Sequence, residues 1–188
     1  KKNQTKLMYA SWKYSVQSSL LSPERKQIMF IHCSDKLMYE NLKIDLLGIY
    51  QKKNVPTVLQ AIDCLRDIGL SISRENIYNG LSEVSRTTGL RGRWEEIGYN
   101  PLIICDTGHN AEGITEVVEQ LKHIAYRNLH IIFGMVNDKD STKVLSLLPA
   151  KAIYYFTKAD IPRALDPIIL KKQAAVFCLK GEAYPEIK

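Results

Sequence analysis

The run Leu102-Ile103-Ile104-Cys105-Asp106-Thr107-Gly108-His109-Asn110-Ala111-Glu112-Gly113 constrains the fold more than any other part of the chain. Four apolar residues, enough for a short strand, end abruptly in a carboxylate and an imidazole. Residues at helical spacing (Ile114, Val117, Val118, Leu121, Ile124) follow at once. The alternation then repeats. A strand at 129–133 precedes a helix at 141–148. A strand at 152–156 precedes a helix opened by Asp166-Pro167, with Asp as N-cap and Pro at the first helical position. The last short strand is expected at 176–179. Strands alternating with helices predict a largely parallel, doubly wound α/β sheet. Such sheets bind ligands at the carboxyl ends of their strands, which is where Asp106 and His109 fall.

The first third reads differently. Trp12, Tyr14 and Val16 alternate with polar residues, 26–33 is a short apolar run, and Leu42, Ile44 and Leu46 alternate again. Period two predicts antiparallel strands with one wet face. Val55, Val58, Leu59, Ile62, Leu65 and Ile68 then share a helical face, with Asn54 as N-cap and Gly69 as the stop. Ser73 caps a second helix, with Ile72 and Ile77 as a hydrophobic staple and Ile77, Leu81 and Val84 as its buried stripe. Residues 85–92 are polar and glycine-containing, which reads as a linker.

With 188 residues the chain has room for one or two domains. Its net charge of +6 suits contact with anions or simply a solvated basic surface. No basic block is interleaved with aromatics, so nucleic acid is not an expected partner. No run of about 18 apolar residues marks a membrane span, and no leader pattern is present. Cys33, Cys64, Cys105 and Cys178 match no zinc or redox spacing. They read as reduced, mostly buried thiols of a cytoplasmic protein.

The candidate site residues each carry two readings. Asp106 and Asn110 either merely cap the following helix, or Asp106 accepts from a ribose hydroxyl, an ammonium or an arginine, and spacing does not choose. Segment 108–115 nearly matches a phosphate loop but has Ile114 where the phosphate-binding lysine belongs, so that loop is rejected. Asp106, His109 and Glu112 drift round a helix and make a poor metal set, so no metal site is expected. Arg93, in Gly92-Arg93-Trp94-Glu95, is either a surface residue on Trp94 or a forked cation for a phosphate. Asn54 either caps its helix or reads a base edge.

In order and spacing, four segments are specific: Leu47-Gly48-Ile49-Tyr50-Gln51-Lys52-Lys53-Asn54, Gly92-Arg93-Trp94-Glu95, Asp106-Thr107-Gly108-His109-Asn110, and Phe133-Gly134-Met135-Val136-Asn137-Asp138-Lys139-Asp140. The chain resembles the folylpolyglutamate synthase and dihydrofolate synthase family of Mur-ligase type. The resemblance runs from about Leu42 to the end. It departs at Thr107-Gly108, where Gly-Ala is commoner, and at Tyr50, where His is often found. It implies the end of a central ATPase domain over 1–88, made of antiparallel strands plus helices. A Rossmann-like C-terminal glutamate-ligase domain over 89–188 is then expected, cut short before its last strand and helix. In such enzymes ATP lies between these domains. Carried over, Asn54 faces the adenine, Arg93 the phosphates, Asp106 assists the nucleotide, and His109 lies near the incoming glutamate. ATP and Mg2+ are implied, with the metal ligands in a preceding portion, as are L-glutamate and dihydropteroate or folate as substrates of a monomer. A muramyl-peptide ligase and a non-catalytic nucleotide-binding module are the rival readings.

Overall fold

Side chains that alternate between water and core build the first layer. In the computed structural model, which describes residues 7–137 and 141–185, a short helix α1 (Ala10–Lys13) leads into β1 (Tyr14–Leu21), β2 (Gln27–Cys33) and β3 (Lys36–Ile44). The three strands pair antiparallel in the order β1-β2-β3. Tyr14, Met29, Ile31, Leu42 and Ile44 turn into one core. The wet face expected from the period-two pattern is present. Trp12, expected in the first strand, lies instead in α1 and is 79% exposed. Pairing begins only at Tyr14↔Cys33, so Trp12 has no ladder to hold it extended.

Two helices cover this sheet. α2 (Gln51–Asp67) packs on β1, and α3 (Arg74–Ser82) packs on β3. Only an i, i+4, i+7 stripe of α2 meets the core, made of Val55, Leu59 and partly Ile62. Val58, Leu65 and Ile68, expected on the same face, are exposed. Asn54 does not cap α2. Backbone bonds from Gln51 N to Gly48 O and from Lys52 N to Ile49 O close the first turns upstream of it. For α3 the cap, the staple and the inward Ile77 and Leu81 are as expected, but Val84 falls beyond the helix, in the next one, and is only half-buried. Ser73 Oγ accepts from Asn76 N, Asn76 Oδ1 accepts from Ser73 N, and Ile72 and Ile77 join the core.

The expected linker contains a short helix, α4 (Val84–Thr88). Asp45, just after β3, accepts from Val84 N at 3.0 Å and Ser85 N at 2.9 Å, satisfying two of its open amides. The acceptor is 39 residues away, so the local pattern could not show it. β4 (Glu95–Tyr99) and β5 (Leu102–Cys105) then form an antiparallel hairpin, a sheet of their own. β5 was expected to lead the parallel sheet. A connection of two residues, Asn100 and Pro101, turns the chain straight back, whereas a parallel partner needs a long crossover. The division between two units falls between Asp106 and Thr107.

The second unit is α/β. It runs α5 (Ala111–Leu121), β6 (His130–Phe133), α6 (Ser141–Leu145), β7 (Ile153–Phe156), α7 (Pro167–Ala175) and β8 (Lys180–Ala183). β6, β7 and β8 pair in parallel in that order. Leu145, Tyr154, Phe156, Leu170 and Ala174 centre its core. Asp166 Oδ1 accepts from Ile168 N and Ile169 N, with Pro167 first in α7, as expected. The last strand is 180–183 rather than 176–179. Val176, Phe177 and Cys178 continue the turn that ends α7, each amide bonding back three residues. The α/β class is borne out, with antiparallel sheets preceding a three-stranded parallel one.

The thiols correct another expectation. All four are free, but Cys33 and Cys64 are half-buried, and Cys105 and Cys178 are exposed. Cys105 ends the second strand of the hairpin and Cys178 lies on the turn after α7. Asp138-Lys139-Asp140 lie outside the described residues. Among the described residues no helix is long and apolar enough to cross a membrane.

Each unit yields a test. Gly181 stands opposite Tyr154 in the parallel ladder, and a Cβ there would collide with the Tyr154 carbonyl oxygen. Gly181→Ala is expected to cost the second unit about 3 kcal/mol, read as a lowered Tm. In the first unit, Asp63 accepts from Lys13 Nζ at 2.7 Å and Tyr14 OH at 2.6 Å. Burial pushes its carboxyl up, but these bonds and the Lys13 and Arg66 charges outweigh it and hold the group below its ordinary value. A depressed folded value contributes stability above the unfolded one and loses it as pH falls through the folded one. Asp63→Asn should therefore cost about 1 kcal/mol near pH 7, with the difference from wild type closing below about pH 4 in urea titrations.

Candidate functional site

Asp106 ends β5, and its Oδ2 accepts two hydrogen bonds. One comes from Tyr50 OH at 2.7 Å, the other from Trp94 N at 2.8 Å. These donors lie 56 and 12 residues away in sequence. Asp106 does not cap α5. That role falls to Asn110, whose Oδ1 accepts from Gly113 N at 2.8 Å. Of the two residues read as possible caps, Asn110 therefore takes that role and Asp106 does not.

The Trp94 amide reaches Asp106 because its backbone is left-handed, with φ of 55°. A bulky side chain there costs about 1–2 kcal/mol. The indole, only 3% exposed, and the amide bond to Asp106 offset that strain. Arg93 precedes it and is half-buried. Arg93 lines a small recess of mixed character, with Leu46, Leu90 and Trp94 on one hand and the charged Asp45, Glu95 and Glu96 on the other.

Tyr50 sits where the 46–50 segment passes into α2. Gln27, buried on the inner face of β2, shapes that segment. Its Nε2 donates to Leu46 O at 2.7 Å and to Gly48 O at 2.8 Å, and its Oε1 accepts from Ser19 Oγ. Burial and the bond to Asp106 raise the Tyr50 phenol well above its ordinary value, and the nearby Arg93 charge opposes this more weakly. Tyr50 therefore remains a neutral donor throughout the physiological range.

The start of α2 is electropositive. No side chain caps it, and its first turn holds Lys52 and Lys53 and no acid. Cations at a helix N-terminus oppose the helix dipole and favour a nearby anion. The Asn54 amide donates to Gln51 Oε1 at 3.0 Å one turn into the helix and is exposed. His109 belongs to the second unit, where its Nδ1 lies 3.1 Å from Thr107 O and its ring is exposed. Among the described residues no three His, Cys, Asp or Glu side chains cluster as a metal site would require.

The structure thus joins Asp106 to Trp94 and Tyr50, with Arg93 adjacent. Sequence reasoning missed Tyr50, the Trp94 amide and Gln27 as parts of one site. Gln27 left a signal, since it occupies the inward phase of β2 with Met29 and Ile31. Tyr50 was marked only as a departure from the family pattern, with nothing local to show its partner.

Comparison with known proteins gives these residues a context. The family model described as "Mur ligase, glutamate ligase domain" matches residues 92–187, just over half of the chain. A probable bifunctional folylpolyglutamate synthase/dihydropteroate synthase of Haloferax volcanii is 34% identical over 69% of this chain and 15% of its own length. A dihydrofolate synthase/folylpolyglutamate synthase of Bacillus subtilis is 26% identical over 70% of this chain and 30% of its own. A UDP-N-acetylmuramoyl-L-alanyl-D-glutamate–2,6-diaminopimelate ligase of Wolinella succinogenes is 27% identical over 52% and 26%. Among solved structures, Mycobacterium tuberculosis folylpolyglutamate synthase complexed with ADP and AMPPCP superposes with a TM-score of 0.77. It is 20% identical, covering 92% of this chain and 38% of that one, a likeness of fold. The chain spans less than two fifths of the length of each of these proteins.

Gln27→Leu keeps the bulk and removes the donor, taking the Gln27 bond from the Leu46 carbonyl and leaving the Gly48 carbonyl with Gln51 N. It is expected to cost about 2–3 kcal/mol in urea denaturation. A change below about 0.5 kcal/mol, which is within surface-mutation scatter, would show that Gln27 does not organise the segment.

Proposed function

This chain belongs to the Mur ligase family, on its folylpolyglutamate and dihydrofolate synthase side, and we propose that it handles nucleotide and glutamate in an ATP-dependent ligase that adds L-glutamate to dihydropteroate or folates. The family match over 92–187 carries this reading, because Arg93, Asp106 and His109 all fall within it. Asn54 lies outside it. The domain boundary follows the same reading, with 1–88 as the end of the ATPase domain and 89–188 as ligase domain.

The reaction has two steps. A substrate carboxylate oxygen attacks the γ-phosphorus of ATP, the bond to ADP breaks, and an acyl phosphate forms. The amine of glutamate then attacks the acyl carbon, loses a proton, and expels inorganic phosphate, leaving an amide. Phosphoryl transfer needs positive charge on the moving group and close positioning of the reactants. Arg93 supplies a fixed, always-charged fork for phosphate oxygens. Asp106 suits the sugar, because a carboxylate accepts from hydroxyls and repels phosphate. Asn54, on the first turns of α2, meets the adenine, and His109 lies near the incoming glutamate. Mg2+ would accompany the ATP, with its ligands outside this chain. The enzyme acts as a cytoplasmic monomer on small molecules.

The cell-wall relative keeps a muramyl-peptide substrate as the second reading. Dihydropteroate, tetrahydrofolate and a muramyl peptide, offered to the enzyme that contains this chain, separate the two by which one is glutamylated or extended.

Arg93→Ala in that enzyme is expected to raise the KM for ATP at least tenfold and lower kcat, about 1.4 kcal/mol or more of lost transition-state stabilisation. Steady-state kinetics with unchanged KM and kcat would remove Arg93 from the phosphate site.

A further inference from the structure

Nothing in the family match accounts for the placement of Tyr50, which lies outside it. Its ring lies back over Gly48. A Cβ on Gly48 would collide with Tyr50 Cζ and come 2.8 Å from its hydroxyl oxygen, so only glycine leaves the ring its place. The Gly48 carbonyl is held by Gln27 Nε2 at 2.8 Å, which ties the floor under the ring to the sheet. From that floor the hydroxyl reaches Asp106 Oδ2 at 2.7 Å. The Trp94 amide, 12 residues before Asp106, reaches the same oxygen. Two donors on one oxygen remove the broad rotation an aspartate side chain otherwise has about its last torsion.

We propose that Tyr50 is a positioning residue for nucleotide recognition: its hydroxyl orients the Asp106 carboxylate so that it can accept from a ribose hydroxyl of the bound nucleotide. This rests on the reading of Asp106 as a nucleotide contact. A carboxylate oriented before the ligand arrives loses less rotamer freedom on binding, and the gain appears as affinity. The phenol suits the task because burial and its carboxylate partner keep it protonated, so the donor persists as pH changes.

The test uses the enzyme that contains this chain and two probes, ADP and 2′,3′-dideoxy-ADP, with dissociation constants measured by calorimetry. Tyr50→Phe keeps the ring over Gly48 and removes only the hydroxyl. It is expected to weaken ADP about five- to tenfold, to raise the KM for ATP by a similar factor and to change kcat less than twofold. Dideoxy-ADP, which offers Asp106 no hydroxyl, should bind wild type and Tyr50→Phe alike. Gly48→Ala, which displaces the ring, should show the same selective loss in any folded preparation. Equal weakening of both nucleotides by Tyr50→Phe would assign Tyr50 a general structural role and overturn the proposal, as would no weakening of either. Asp106→Ala separates the underlying reading. If it leaves ADP affinity unchanged, Asp106 is not a nucleotide contact. If it weakens ADP while Tyr50→Phe does not, that contact stands and the positioning role fails.

Discussion

One carboxylate oxygen, Asp106 Oδ2, draws together the Tyr50 hydroxyl and the Trp94 amide, and three stretches of chain take their local shape from it. The Trp94 backbone occupies a left-handed conformation that an aromatic residue avoids unless contacts compensate, and the amide bond is one of them. Tyr50 lies over a residue with no side chain, because its hydroxyl must reach that oxygen. Leu46 and Gly48 present their carbonyls to Gln27, which keeps their segment at the sheet. Buried polar groups that satisfy one another in this way specify a single arrangement, since losing any partner leaves another unpaired.

The charges around this node are divided by sign. Arg93 and the lysine-bearing first turn of α2 provide positive charge, while Asp106 is the acceptor. The start of α5 is a contrast. Asn110 takes its Gly113 amide and Glu112 stands in its first turn, so its own residues already answer its dipole. Of these two helix N-termini, the uncapped and basic one is the better suited to an anion. That is the end nearer in sequence to Tyr50, and it agrees with a reading in which the first unit carries the nucleotide contacts.

Patterns made within a dozen residues were legible in advance. The inward phase of β2, the capping box at Ser73 and the Asp166-Pro167 helix start all follow from side chains and backbone groups a few bonds apart. Two of the boundaries that failed were set by distant partners and two by short-range backbone geometry. Trp12 left the strand because the ladder begins at Tyr14, and α4 exists because Asp45 reaches its amides. β5 turned antiparallel because of its short return, and the start of α2 moved upstream of Asn54.

The sequence by itself determined the α/β class, the family resemblance and the identity of Arg93, Asp106 and His109 as site candidates, because strand and helix periodicity and residue order are properties of the linear chain. Tertiary structure alone decided what Asp106 does. Its spacing from the next helix was equally compatible with a cap, and only the approach of Tyr50 from 56 residues away and the left-handed turn at Trp94 made it the acceptor that joins those two donors. A hydrogen bond depends on distance in space, and no local pattern records which remote donor the fold will bring within reach.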